Sequence, residues 1–150
     1  MANAPAAWAF QPAWGSSPRD KAKTEPAAPP PEDLRLMAEI GFLAIREEQG
    51  AALRPVFEML DALQPDNAAG AIGLAMIEAA AGREREALAL LRRAILTRKR
   101  SVREAKATFC ALAAAFGRDS EALQWRRELL RGPDSGARRL AAAPVARRRK

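Results

Sequence analysis

Catalysis needs nucleophiles, metal ligands or titratable pairs, and this 150-residue chain offers few: one cysteine, Cys110, and neither histidine nor tyrosine. An intrachain disulfide, a structural zinc site and a Cys–His nucleophile are thereby excluded. The acids that stand close together are Glu47 with Glu48, and Glu84 with Glu86 around Arg85. Both groups fall at helix ends and read as solvated charge. Cys110 sits on the apolar side of its segment, the position of a small buried residue rather than a reactive thiol. Glycines stop helices, and no glycine-rich loop follows a strand, so a phosphate cradle is not supported. The expectation is a chain that is not an enzyme, carries no cofactor or metal, and works through its surface.

Charge narrows the kind of surface. The net charge is +7, and residues 131–150 alone hold seven basic residues against one acid. Within the rest, residues 32–66 carry eight acids against three bases, whereas residues 92–106 carry seven bases against one acid. The body is therefore dipolar along its length. The run "RKRSVR" at 98–103 and the terminal "RRRK" could meet phosphates electrostatically. Neither is interleaved with aromatics or carried on a recognition helix, so nucleic acid is not the expected partner. An adaptor or regulator that binds another protein or nucleic acid through its Arg-rich tail stands as the alternative reading. No uncharged apolar stretch of about 18 residues occurs, and no basic-then-apolar leader, which predicts no membrane span and a cytoplasmic address.

A 49% hydrophobic content with only 5% aromatics suits an Ala/Leu-rich, all-α protein. Residues 1–31 gather most of the prolines and predict a disordered Pro/Ala-rich N-terminal tail. Trp8, Phe10 and Trp14 in that tail could serve as an adhesive motif, for a partner or for the domain's own groove. Residues 132–150 open on Gly132-Pro133 and predict a basic disordered C-terminal tail.

Residues 32–131 form the domain between the tails. Pro31, Glu32 and Asp33 suit a helix start, with proline near the first position and acids against the N-terminal dipole. Leu36, Met37, Ile40, Leu43 and Ala44 recur at helical spacing until Gly50. A second helix takes Pro55 early and buries Val56, Phe57, Leu60 and Leu63; Pro65 ends it, and Asp66 or Asn67 can cap the next. Further helices are predicted over 68–81, 85–98, 102–116 and 120–131, broken by Gly82 and Gly117.

These breaks repeat. "GREREAL" from Gly82 matches "GRDSEAL" from Gly117 at a distance of 35 residues. That period is close to the 34 residues of the tetratricopeptide helix-turn-helix unit. With Ala68 as first position, Pro65 falls at the terminal proline of the preceding unit, Gly82 at the turn, and Ala87 and Ala94 at the small positions of the second helix. Counting back places Leu34 first, Ile40-Gly41 at the large-small pair and Phe57 at the second-helix aromatic position. Leu53 and Leu60 stand where alanines are expected. Met37 and Ala44, or Ala71 and Glu78, replace the consensus tryptophan and tyrosine, and the third unit needs one extra residue. The predicted architecture is an all-α, tetratricopeptide-like helical hairpin solenoid of three repeats and six helices.

Residues 34–96, which hold "LMAEIGFLAIREEQG" from Leu36 and "GREREALALLRRAIL" from Gly82, resemble the YscG/SsaH-type chaperones of type III secretion needle subunits. That resemblance implies a cytoplasmic chaperone, a virulence-associated protein that holds the needle-subunit helix in its concave face, with a small co-chaperone beside it. Translocator chaperones of the same systems are a competing tetratricopeptide group. In such arrays positions 2, 5, 9 and 12 of each unit line the inner surface. Here these are Arg35, Ala38, Phe42 and Ile45; Ala69, Ile72, Met76 and Ala79; and Glu104, Ala107, Ala111 and Ala114. The expected partner-binding groove is the apolar subset Ala38, Phe42, Ile45, Ala69, Ile72, Met76, Ala79, Ala107 and Ala111, fit for an amphipathic helix.

Overall fold

The computed structural model describes residues 28–133 and 135–142. The aromatic trio Trp8, Phe10 and Trp14 and the terminal "RRRK" lie outside the described residues. Among the described residues seven α-helices come in order: α1 (Pro31–Arg46), α2 (Arg54–Leu63), α3 (Ala69–Ala80), α4 (Glu84–Thr97), α5 (Val102–Ala115), α6 (Asp119–Arg131) and α7 (Ser135–Ala142). A 3-10 turn, Gly50–Leu53, leads into α2. No strand occurs among the described residues. The first six helices pack as consecutive neighbours, with α1 also touching α3 and α3 touching α5. This is the helical hairpin array of three repeats that the spacing of the breakers predicts.

The hairpin turns share one main-chain design. In each, the first helix closes with a pair of hydrogen bonds characteristic of a left-handed C-terminal cap. Gln49 N–H donates to the Ala44 carbonyl, Arg83 to Glu78 and Arg118 to Ala113, at 2.9, 2.9 and 2.7 Å. The preceding residue bonds three back in every case: Glu48 to Ile45, Gly82 to Ala79 and Gly117 to Ala114. Gly82 and Gly117 take φ of +76° and +71°, and Glu48 takes φ of +61° at the equivalent place. The first repeat thus holds a side chain where the other two hold glycine.

The loops between hairpins are joined to each other. The Asp66 carbonyl accepts the Lys99 and Arg100 N–H groups, and the Arg100 carbonyl accepts the Ala68 N–H, all at 2.9–3.0 Å. Asn67 and Arg100 form a parallel bridge. The Asn67 side chain also accepts the Ala69 N–H at 3.1 Å, but the N-cap position of α3 is held by Ala68, so neither Asp66 nor Asn67 is its side-chain cap.

Two apolar clusters build the interior. The smaller joins Leu34, Phe57, Leu60 and Ile77. The larger runs from Ala68 through Leu91 and Phe109 to Leu129 and Ala141. Phe57, wholly buried, lies against both Gly41 of α1 and Gly73 of α3. A methyl group added at Gly41 would stand 2.6 Å from the Phe57 ring, and one at Gly73 would overlap it. The second-helix aromatic expected at 57 is therefore the wedge that sets the spacing of three helices. Ala87 and Ala94, read as small positions, are buried at 0% and 1% exposure. Phe109 and Trp125 meet edge to face at 4.5 Å.

Two readings are corrected. Gly132-Pro133 does end α6, but residues 135–142 then form α7, which packs on α5 and α6 with Ala141 only 2% exposed, so this part of the expected basic tail is ordered. Its physical reason is cover: α7 closes the open end of the last hairpin. The second concerns Leu63, expected in the buried set of α2 yet 41% exposed. In α1 the recurring Leu36, Met37, Ile40 and Leu43 face water at 55, 37, 54 and 53% exposure. The helix packs through its opposite side instead, with Leu34 and Gly41 buried and Ala38, Phe42 and Ile45 half-buried.

Candidate functional site

The inner surface is carried by the first helices of the hairpins. Phe42 leans on Phe57 at a centroid distance of 5.2 Å and touches both clusters. Met76 and Ala79 of α3 pack against the larger cluster, and Ala38 and Ile45 of α1 against the smaller. Ala69 and Ala111 are half-buried. Ile72 and Ala107, at 6% and 1% exposure, lie within the larger cluster, and Ala114 is buried as well. Arg35 and Glu104 are exposed. The fold thus brings Phe42, Met76 and Ala79 together on adjacent helices and takes Ile72 and Ala107 out of a partner's direct reach. What remains accessible is a shallow apolar pavement, rich in alanine, that a helix could approach closely.

At the end of that pavement a cleft of about 650 Å³ opens between α1, the 3-10 turn, α2 and α3, lined by Ile45, Ala51, Arg54, Ile77, Ala81 and Arg83. Beneath it lies Glu78, a carboxylate only 8% exposed. Arg54 and Arg83 both donate hydrogen bonds to it. The Arg83 hydrogen bond, then that of Arg54, hold the Glu78 carboxyl below its ordinary range, against the opposing effect of burial. Arg83 bonds Glu78 through its main chain too, so a single acid ties the turn of the second hairpin to the start of α2. The sequence placed Glu78 at a consensus tyrosine position. Nothing in its local pattern revealed its two arginines, which come from 24 residues before it and 5 after.

Elsewhere several charges are paired internally. Arg98 donates to both Asp61 carboxylate oxygens at 2.9 and 3.0 Å and to the Pro65 carbonyl, and Lys99 stands 3.6 Å from Asp66. Lys106 bonds Glu128 at 2.7 and 2.8 Å. Cys110 is fully buried, and burial pushes its thiol pKa up, away from reactivity. Among the described residues no three His, Cys, Asp or Glu side chains converge, and no helix is long and apolar enough to cross a membrane.

The comparisons with known proteins leave the fold and this surface to speak alone. No family model matches the chain, and neither a curated protein nor a solved structure matches it.

Proposed function

We propose that the chain is a binding module without turnover, which holds an apolar helix of another protein across α1, α3 and α5. The observation that carries this reading is the half-buried apolar surface of Phe42, Met76 and Ala79 on adjacent first helices, with no titratable cluster among them. In its finer form the module is a cytoplasmic type III secretion chaperone, with the needle subunit as its client and a small co-chaperone beside it. The resemblance of residues 34–96 supports that form. The mechanism is sequestration: apolar surface that would drive the client's self-assembly is covered until delivery.

Co-expression with a needle subunit tests it. A soluble complex stable at several-hundred-millimolar salt is expected, because apolar burial survives salt that dissolves phosphate contacts. Replacing both Ala79 and Ala111 with Glu places carboxylates on the pavement, hydrated in the free protein but desolvated under a client. The variant should keep its fold and lose the complex, at a cost of several kcal/mol to binding. Phe42 is unsuited to this test, since its half-buried ring also packs on Phe57, and replacing it would disturb the fold along with the surface. A folded double variant that still captures the client places the site elsewhere. Removing residues 143–150 should leave capture intact; its loss would favour the Arg-rich adaptor.

A further inference from the structure

The two ends of the array are finished differently. At the C-terminal end α7 lies over α5 and α6. At the N-terminal end α1 offers Leu36, Met37, Ile40 and Leu43, each more than a third exposed, and no described residue covers them. Helical arrays need a polar outer face on their terminal units. An apolar stripe in that place is a surface awaiting cover.

Its charges say what kind of cover fits. At 3.6 residues per turn, Asp33 and Glu47 continue the line of Leu36, Ile40 and Leu43 one turn beyond each end. Glu32, Glu39 and Glu48 stand nearby, all exposed, and Arg35 is paired with Glu39 at 2.9 Å. A second copy laid antiparallel on this stripe would set Asp33 against Glu47 and Glu32 against Glu48, twice over, and like charges so placed repel. The stripe calls for an apolar segment with basic neighbours.

The chain carries such a segment directly upstream. Trp8, Phe10 and Trp14 are followed by Arg19, Lys21 and Lys23, which outnumber Asp20 and Glu25 beside them, and then by the Pro-rich run that enters α1 at Pro31. Sixteen residues lie between Trp14 and Pro31. At about 3.1 Å per residue in an extended proline-type helix they reach roughly 50 Å. The sixteen residues of α1 span about 24 Å. The segment can therefore turn back and run the full length of the stripe.

We propose that the outward face of α1 is a docking site for the chain's own Trp8–Phe10–Trp14 segment, which caps the N-terminal end of the array as α7 caps the other. The aromatics cover Leu36, Ile40 and Leu43, and the basic residues answer the acids at the ends of the stripe. This site is distinct from the inner pavement and does not depend on the identity of any client.

The indole N–H signals of the full-length, nitrogen-15-labelled chain test it, with Trp8→Phe and Trp14→Phe supplying the assignments. Trp8 and Trp14 should appear away from the free-indole position, exchange slowly with water and stay there on dilution. Ile40→Gln combined with Leu43→Gln changes two half-exposed side chains. It should return both signals to the free-indole position while the buried Trp125 signal stays put, reporting an intact fold. Free-indole signals for Trp8 and Trp14 in the unaltered chain overturn the proposal, as do shifted signals that ignore the double substitution. A concentration-dependent dimer that Leu43→Gln dissociates, with both indoles free throughout, overturns it in favour of a second copy.

Discussion

Glu48, Gly82 and Gly117 occupy one position in three hairpin turns, and their backbones agree to within 15° in φ. A residue other than glycine pays roughly 1–2 kcal/mol in this left-handed region. Around Gly82 and Gly117 no atom lies within 4 Å of an added methyl group, so Gly82→Ala and Gly117→Ala isolate the backbone term. Each should lose about 1 kcal/mol in urea denaturation, whereas Glu48→Gly should gain about 0.5–1 kcal/mol, the relief exceeding the extra freedom of the unfolded glycine. Glu78 supplies a prediction of another kind. Its pKa is lower folded than unfolded, so its contribution is fully present above the unfolded value and disappears as pH falls through the folded one. With its arginines partly open to solvent, Glu78→Gln should cost about 1–2 kcal/mol at neutral pH. Repeating the denaturation in acid should bring variant and parent together; a cost that ignores pH would mean the ion pairs are not its source.

Four of the six helices were legible by their ends because a breaker stands just past them: Pro65, Gly82, Gly117 and the pair Gly132-Pro133; α1 closes at Arg46 ahead of Gly50, and α4 closes at Thr97 with neither glycine nor proline. The α3 and α4 boundaries lie within a residue or so of those spacing alone predicts, since cap and breaker chemistry acts locally. The facing of α1 was legible only through the repeat register, which set Ala38, Phe42 and Ile45 inward, for this helix is apolar on two opposite sides. Periodicity reports an apolar face without saying whether anything lies against it. The inner surface was legible in register but not in depth: Ile72 and Ala107 sit on the expected helices, yet close packing of neighbours removes them from the surface. Nor was α7 legible, because a helix of only eight residues, SGARRLAA, with a glycine in its first turn, holds only when docked. At this scale Gly73 is the sharpest probe. Gly73→Ala forces its methyl into the Phe57 ring, and about 2–3 kcal/mol should be lost in thermal or urea unfolding. A parallel loss is expected from Phe57→Ala, about 3–5 kcal/mol, through the cavity it leaves. If Gly73→Ala proves neutral, Phe57 is not the wedge between α1 and α3.

Across the molecule, stability should track position in the array, since each helix is supported by its neighbours. Helices α3, α4 and α5 are flanked on both sides, whereas the helices that support α1, namely α2 and α3, lie on one side of it. Native-state hydrogen exchange should show α3–α5 most protected and α1 opening at lower free energy; uniform protection would mean that the array unfolds only as a whole. The joined loops at 66–68 and 99–100 have a consequence for how such a chain can grow. Their three bonds run from main chain to main chain, so that pairing can be copied with other side chains, the bonds from Asn67 and Arg98 being additions to it. A chain in which residues 68–101 are duplicated in tandem should therefore add one more hairpin, splice it through the same loop pairing, and melt higher than the parent.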